Sequence, residues 1–196
     1  MVKNKQKYDH KKSKPKSSSR WIYIGMGSLL LVAMLLALAL VPKSSGGPLG
    51  QEVTITSRDH IPETQDPSQY YTNPPAGGPH FPDTFQARFY QESDLPSLPK
   101  YPQGYLVHNL EHGYVIFWYN CQASPSINCA DLKQQIQSVM AAYGGIKLIA
   151  FPWSALDTPL ALTSWGRILK MTTLDVQVMR QFVDRNRNQA PEPDTP

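Results

Sequence analysis

The sequence predicts an α+β domain in which two helices pack on one face of a mainly antiparallel sheet. Three observations predict this class: apolar runs rich in β-branched and aromatic residues, two stripes of helical period, and the position of the prolines. Nine of the 18 prolines lie in residues 57–103. Because proline withholds a backbone donor and disfavours helix at the residue before it, this half is predicted to be a long loop over the sheet.

The second half of the domain supplies the regular elements. Four runs predict strands. They span residues 105–107, 113–119, 146–151 and 160–171. The run 113–119 is apolar on both faces, which indicates a central strand, and the run 160–171 is expected to bend at Gly166. A helix is predicted over 131–143, ended by two glycines, and a second one is expected to begin at Thr172 or Thr173.

The N-terminal segment predicts a membrane anchor. Residues 1–20 form a basic tail with a net charge of +7, and residues 21–41 contain no charged side chain. Twenty-one uncharged residues are enough to cross a hydrocarbon core of about 30 Å. The positive flank places the tail in the cytoplasm and the main domain, residues 52–187, outside the cell membrane. A cleaved signal peptide would have a shorter apolar region, so an uncleaved single span is expected.

The remaining boundaries follow from composition. Residues 42–51 are predicted to be a flexible linker, and residues 188–196 a disordered, proline-broken tail. The whole chain carries +4, so residues 21–196 sum to −3 once the basic tail is set aside. A mildly acidic domain excludes nucleic acid as a partner, and the membrane is the one partner that the sequence indicates.

The chain has two cysteines, Cys121 and Cys129. An exported location favours a disulfide between them. Ligation of a soft metal by two thiolates is the alternative, and it stays open at this point.

Histidine is scarce, yet two of the five histidines lie four residues apart in His108-Asn-Leu-Glu-His112. Neutral imidazole is the commonest side-chain metal ligand, and a compact turn would bring both rings to one side. Two protein ligands rarely hold a metal alone. We therefore expect His60 and His80, which both lie beside turns or prolines, to complete a metal site that takes copper or zinc.

Glu111 is expected to support these ligands or to bind as a fifth, with Arg167 as its ion-pair partner. Two alternatives to metal binding remain. In a non-catalytic structural or interaction module, the histidines would hydrogen-bond backbone carbonyls. In a zinc hydrolase, His-x-x-Glu-His would act as the inverted zinc-peptidase motif, which requires a helix through 106–114 and an open cleft at Glu111.

Three separated motifs resemble the bacterial family called domain of unknown function 3105. They are Asn-Pro-Pro-Ala-Gly-Gly-Pro-His at 73–80, Leu-Val-His-Asn-Leu-Glu-His-Gly at 106–113 and Leu-Thr-Ser-Trp-Gly-Arg at 162–167. The resemblance covers roughly residues 52–187, and an early histidine, here His60, also fits it. It implies a single-pass membrane protein with an exported domain and leaves the activity undefined. Ala76-Gly77 departs from the family's usual Thr-Ser, and the cysteines are farther apart than in many members.

Overall fold

The structure is a computed structural model and describes residues 46–67 and 70–195. The predicted cytoplasmic tail and membrane span, residues 1–20 and 21–41, lie outside the described residues. Among the residues that are described, no helix combines the length and the apolar character needed to cross a bilayer.

One five-stranded sheet runs through the domain in the order β1-β5-β4-β2-β3. The strands are β1 (Gln51–Glu52), β2 (Val115–Tyr119), β3 (Leu148–Pro152), β4 (Leu160–Ser164) and β5 (Arg167–Met171). Strand β2 pairs in parallel with β3, and the other three pairings are antiparallel. All residues of β2, β3 and β4 are buried, because both faces of the sheet are covered. The α+β prediction is confirmed.

The run 160–171 was expected to be one bent strand, and the structure makes it two. β4 and β5 form a hairpin in which Ser164 pairs with Arg167 across a two-residue turn. Gly166 in this turn has φ +69°, a conformation that glycine adopts without steric cost. The glycine therefore reverses the chain rather than bending it.

Within residues 46–67 and 70–195, three α-helices pack on the sheet: α1 (Pro102–Glu111), α2 (Cys129–Ala142) and α3 (Val176–Asn186). The two predicted helices are α2 and α3. They share one apolar core with one face of the sheet. Its members include Val115, Phe117, Leu132, Ile136, Val139, Met179, Phe182 and Val183. The cap of α3 is Asp175, not Thr172 or Thr173, because its carboxylate accepts hydrogen bonds from the first free backbone amides of the helix.

Helix α1 replaces the strand that was expected at 105–107. Every residue from Gly104 to Glu111 is buried, so the helix shows no polar stripe to reveal its period. Pro102 occupies its first turn, where the missing N–H costs nothing. Leu106 and Leu110 pack on the sheet face opposite α2 and α3.

The proline-rich segment covers the same face as α1 and contains little regular structure beyond a short 3₁₀ helix, Glu92–Ser97. Asn109 of α1 binds this segment twice, since its side chain accepts from the Phe85 N–H at 2.9 Å and donates to the Phe85 carbonyl at 2.8 Å. A side chain at Gly104 would overlap the buried Phe81 ring. The segment and α1 therefore approach closely along their whole contact.

Cys121 and Cys129 are joined in a disulfide, as predicted. The bond ties the loop that follows β2 to the first residue of α2.

The C-terminal segment, expected to be disordered from residue 188, makes specific contacts through residue 195. The Glu192 N–H donates to the Glu111 carbonyl at 3.0 Å. The Lys147 ammonium donates to three carbonyls, those of His112, Pro193 and Thr195. One lysine thus holds three carbonyls together, two of them from the C-terminal segment.

Candidate metal centre

Three imidazoles and one carboxylate meet where the proline-rich segment lies against the end of α1. They belong to His60, His80, His108 and Glu111, and one ligand atom from each lies within 4.8 Å of the others. The ring centroids of the three histidines are 4.8 to 4.9 Å apart. Atoms bound to one ion at about 2.1 Å lie at most about 4.2 Å apart, so a small contraction of the cluster would accommodate an ion.

Backbone pairing brings the first two histidines together. His60 and His80 form a parallel bridge between two irregular stretches. The His80 N–H donates to the Asp59 carbonyl at 3.0 Å, and the Ile61 N–H donates to the His80 carbonyl at 2.8 Å. The proline-rich segment therefore delivers two ligands as one unit, although they are twenty residues apart in the sequence.

The proton on His80 has a defined position. Its Nδ1 lies 2.8 Å from the carbonyl oxygen of Gly78, and because a carbonyl only accepts, Nδ1 carries the hydrogen. Burial lowers the pKa of His80, which favours the neutral ring. In that ring Nε2 holds a lone pair. Nε2 is buried and makes no hydrogen bond, yet it lies 2.9 Å from Oε2 of Glu111.

The ring nitrogen and the carboxyl oxygen thus face each other at contact distance. A buried polar atom without a partner costs about 1–3 kcal/mol, and Nε2 of His80 is such an atom. When Glu111 is ionised both atoms are acceptors, and a cation that binds both removes this penalty. This pair is the feature of the cluster that points most directly to an ion.

His108 adds a second unsatisfied nitrogen. It lies on the last turn of α1, and its buried Nδ1 makes no hydrogen bond. Burial lowers the pKa of His108, and the neighbouring His112 and His80 rings lower it further, whereas a hydrogen bond to the backbone of Asp83 opposes this. A neutral imidazole is the form that binds a metal.

Glu111 is nearly fully buried, with 4% of its side chain exposed. Burial raises the pKa of Glu111, and the charge of Glu192 raises it further. Its cationic neighbour is Arg58, whose Nη1 lies 3.8 Å from Oε1. Arg167, the partner expected from the sequence, instead pairs with Glu52 at 3.1 Å, because the two residues are opposite each other on β5 and β1.

His112 lies beside the four-residue cluster rather than within it. It caps α1, and its ring centroid lies 4.4 Å from that of His108, so the four-residue spacing does bring the two rings together. Its Nε2 is 3.6 Å from Oε2 of Glu192. Of the five site residues expected from the sequence, the structure groups four and sets His112 at their edge.

Sequence reasoning missed Arg58 and Glu192. Both belong to irregular stretches, and neither is part of a motif, so no pattern signalled their approach to the cluster. Arg58 comes close because it precedes His60 by two residues. Glu192 comes close because Lys147 holds the C-terminal segment in place.

Fold and site together define an α+β domain with a candidate His₃Glu metal centre. The family model described as "Protein of unknown function (DUF3105)" matches residues 60–196, more than half of the chain, and the chain belongs to this family. The resemblance read from the three motifs is therefore confirmed. Searches of curated proteins and of solved structures find no significant match.

Proposed function

We propose that this protein binds one transition-metal ion, copper or zinc, through His60, His80, His108 and Glu111. The observation that carries the proposal is the contact between Nε2 of His80 and Oε2 of Glu111. Nε2 is buried without a hydrogen-bond partner, and it lies 2.9 Å from the buried carboxyl oxygen. Ligand binding at this point satisfies both atoms.

The donor set favours particular ions. Three imidazole nitrogens and one carboxylate oxygen suit Zn²⁺ and Cu²⁺, whereas Ca²⁺ and Mg²⁺ prefer oxygen ligands throughout. Cu⁺ prefers thiolate and thioether sulfur, and the two cysteines are bonded to each other. His112 lies next to His108 but outside this set of four ligands.

Binding or handling of the ion fits this geometry better than hydrolysis does. The inverted zinc-peptidase motif uses both histidines as ligands and leaves its glutamate free to activate water. Here Glu111 is itself a member of the cluster and is buried, and His112 is at the edge. Helix α1 also ends at Glu111, short of the helix through 106–114 that the hydrolase requires.

A structural module without metal is the second candidate, and one observation favours it. His80 donates to a backbone carbonyl, as expected if the histidines serve to hold the loop half on the sheet. In that case replacement of a histidine would lower stability, and the metal content of the protein would be negligible throughout.

We also propose that residues 21–41 anchor the domain to the cell membrane with the N-terminus in the cytoplasm. The charge-free run and the basic residues before it support this arrangement.

The test is metal analysis of the purified full chain, followed by titration with Cu²⁺ and Zn²⁺ against a competing chelator. We expect about one ion per chain in the wild type and in the control His10→Ala, whose histidine belongs to residues 1–20. We expect strong loss of metal in His60→Ala, which removes the exposed ligand and should leave the fold intact by circular dichroism. Equal metal content in His60→Ala and wild type, or none in either, contradicts the proposal.

A further inference from the structure

An open groove adjoins the cluster on the side of His60. It has a volume of about 510 Å³ and is lined by residues 55–59 and Trp165. Two lining residues also contact the cluster: Arg58 lies beside Glu111, and the Trp165 ring centroid is 6.1 Å from that of His80. His60 is the exposed member of the cluster, whereas the other three are buried. The groove therefore lies beside the cluster, on the surface where Arg58 and Asp59 are exposed.

The groove carries one cation with spare hydrogen-bonding capacity. The Arg58 side chain is 58% exposed, and its distance of 3.8 Å from Glu111 is too long for a hydrogen bond. A guanidinium presents five N–H donors in a planar fork that matches a carboxylate or an oxoanion. If Glu111 binds an ion, its negative charge is directed toward that ion, and Arg58 is left facing the groove.

One acid in the groove opposes anion binding and limits what can enter. Asp59 is exposed, and its carboxylate accepts a hydrogen bond from the Ser57 hydroxyl at 2.7 Å. A divalent ion, Glu111 and Arg58 together leave a net positive charge, which Asp59 reduces. A ligand with one negative charge is favoured over a polyanion.

We propose that the ion in this site keeps a coordination position open toward Arg58, and that this position binds a small monoanion, such as the carboxylate of a small organic acid. The metal would bind one oxygen, and the guanidinium would donate to the other. Three imidazoles and one carboxylate leave room for an exogenous ligand on a five-coordinate Cu²⁺ or Zn²⁺. The inference rests on the proposed metal site and adds to it a ligand class and a residue that selects it.

The experiment uses the purified full chain loaded with Cu²⁺, or with Co²⁺ if metal analysis returns zinc, because both ions absorb visible light. Azide is titrated as a monoanionic probe and followed by the absorbance of the bound ion, and acetate is then added as a competitor. We expect azide to bind and acetate to displace it. Arg58→Ala should lower the affinity for each anion by about fivefold, because it removes one partly exposed charge. Asp59→Asn should tighten azide binding.

Arg88→Ala is the matched control. Arg88 is also an exposed arginine whose guanidinium lies 3.8 Å from an acid, Asp94, but it does not line the groove. The Arg88→Ala variant should bind azide and acetate with the affinity of the wild type. Equal azide affinity in Arg58→Ala and wild type, with normal metal content, overturns the anion site and leaves the metal site standing. Absence of metal in the wild type removes the metal site itself.

Discussion

The two faces of the sheet are built in different ways. One face carries α2 and α3, whose apolar stripes interlock with Val115 and Phe117 in a continuous hydrophobic core. The other carries α1 and the proline-rich segment, and of the eight buried polar or charged residues in the described part of the chain five lie in this layer. They are His80, His108, Asn109, Glu111 and His112. Both faces therefore have an apolar core, and the buried groups capable of chemistry are concentrated on the second.

Truncation in the helical core should have the largest effect and should leave the site alone. Phe182 is fully buried in α3, so Phe182→Ala should lower the free energy of unfolding by about 3–5 kcal/mol. Urea denaturation of the metal-free protein measures this. Metal content per folded molecule should not change. A loss below about 1 kcal/mol would contradict the tight packing of Phe182 in this core.

Metal binding should stabilise the protein through the face that carries α1 and the proline-rich segment. An ion that binds only the folded chain, at a concentration one hundred times its Kd, should raise the free energy of unfolding by about 2.7 kcal/mol. Thermal denaturation with and without Zn²⁺ measures the gain. His60→Ala should abolish most of it while changing the metal-free protein little, because His60 is exposed. An equal gain in this variant would place the ion elsewhere.

Gly104→Ala tests whether the loop half depends on close contact with α1. The new methyl group would overlap the Phe81 ring, which is fully buried and follows His80 directly. Overpacking of this kind costs about 1–3 kcal/mol. Metal affinity should fall together with stability, because the strain falls on the segment that carries His80. Ala141→Gly, on an exposed part of α2, serves as a control for backbone propensity and should leave metal affinity unchanged.

The metal-free protein should respond to pH through the cluster. Burial lowers the pKa of His80 and of His108, so the unfolded chain binds more protons below about pH 6.5, the ordinary value, and stability should fall as the pH is lowered. Burial raises the pKa of Glu111, so its carboxyl group keeps its proton to a higher pH in the folded chain than in the unfolded one. Stability should therefore fall as the pH rises from the ordinary pKa of a glutamate to the raised one. Glu111→Gln should remove the loss of stability with rising pH and keep the loss with falling pH that the two histidines cause. Denaturation curves between pH 4 and 8 measure both.

The smallest effect is expected at Arg167. Arg167 pairs with Glu52, whose side chain is 75% exposed and screened by solvent, so Arg167→Ala should cost about 0.5 kcal/mol at most. Metal affinity should not change, because Arg58 and not Arg167 neighbours Glu111. A clear loss of metal in Arg167→Ala would instead support the ion pair between Glu111 and Arg167 that the sequence predicts.

The difference between the two faces also explains what the sequence could predict. Helix α2 and the central strand β2 were predictable because one element shows a helical stripe and the other is apolar throughout. Residues 105–107 of helix α1 are predicted as a strand because the helix is buried along most of its length and shows no clear period. The hairpin at Gly166 is predicted as a bend because its two strands are short and are joined by only two residues.

The sequence indicates which residues form the candidate site, but it does not indicate how they come into contact. Scarcity of histidine and proximity to turns singled out His60, His80 and His108. Their meeting depends on backbone pairing between irregular stretches, which has no sequence period. Arg58 and Glu192 reach the site through such stretches too, and their approach could not be read from spacing.

The three carbonyls gathered by Lys147 have a practical consequence for handling this protein. Because the ammonium holds Thr195, an affinity tag fused to the C-terminus would start beside His112 and Glu192. A polyhistidine tag there would supply competing imidazoles within reach of the cluster and would obscure every stoichiometry measured on it. The N-terminus is the end to modify when metal binding is to be assayed.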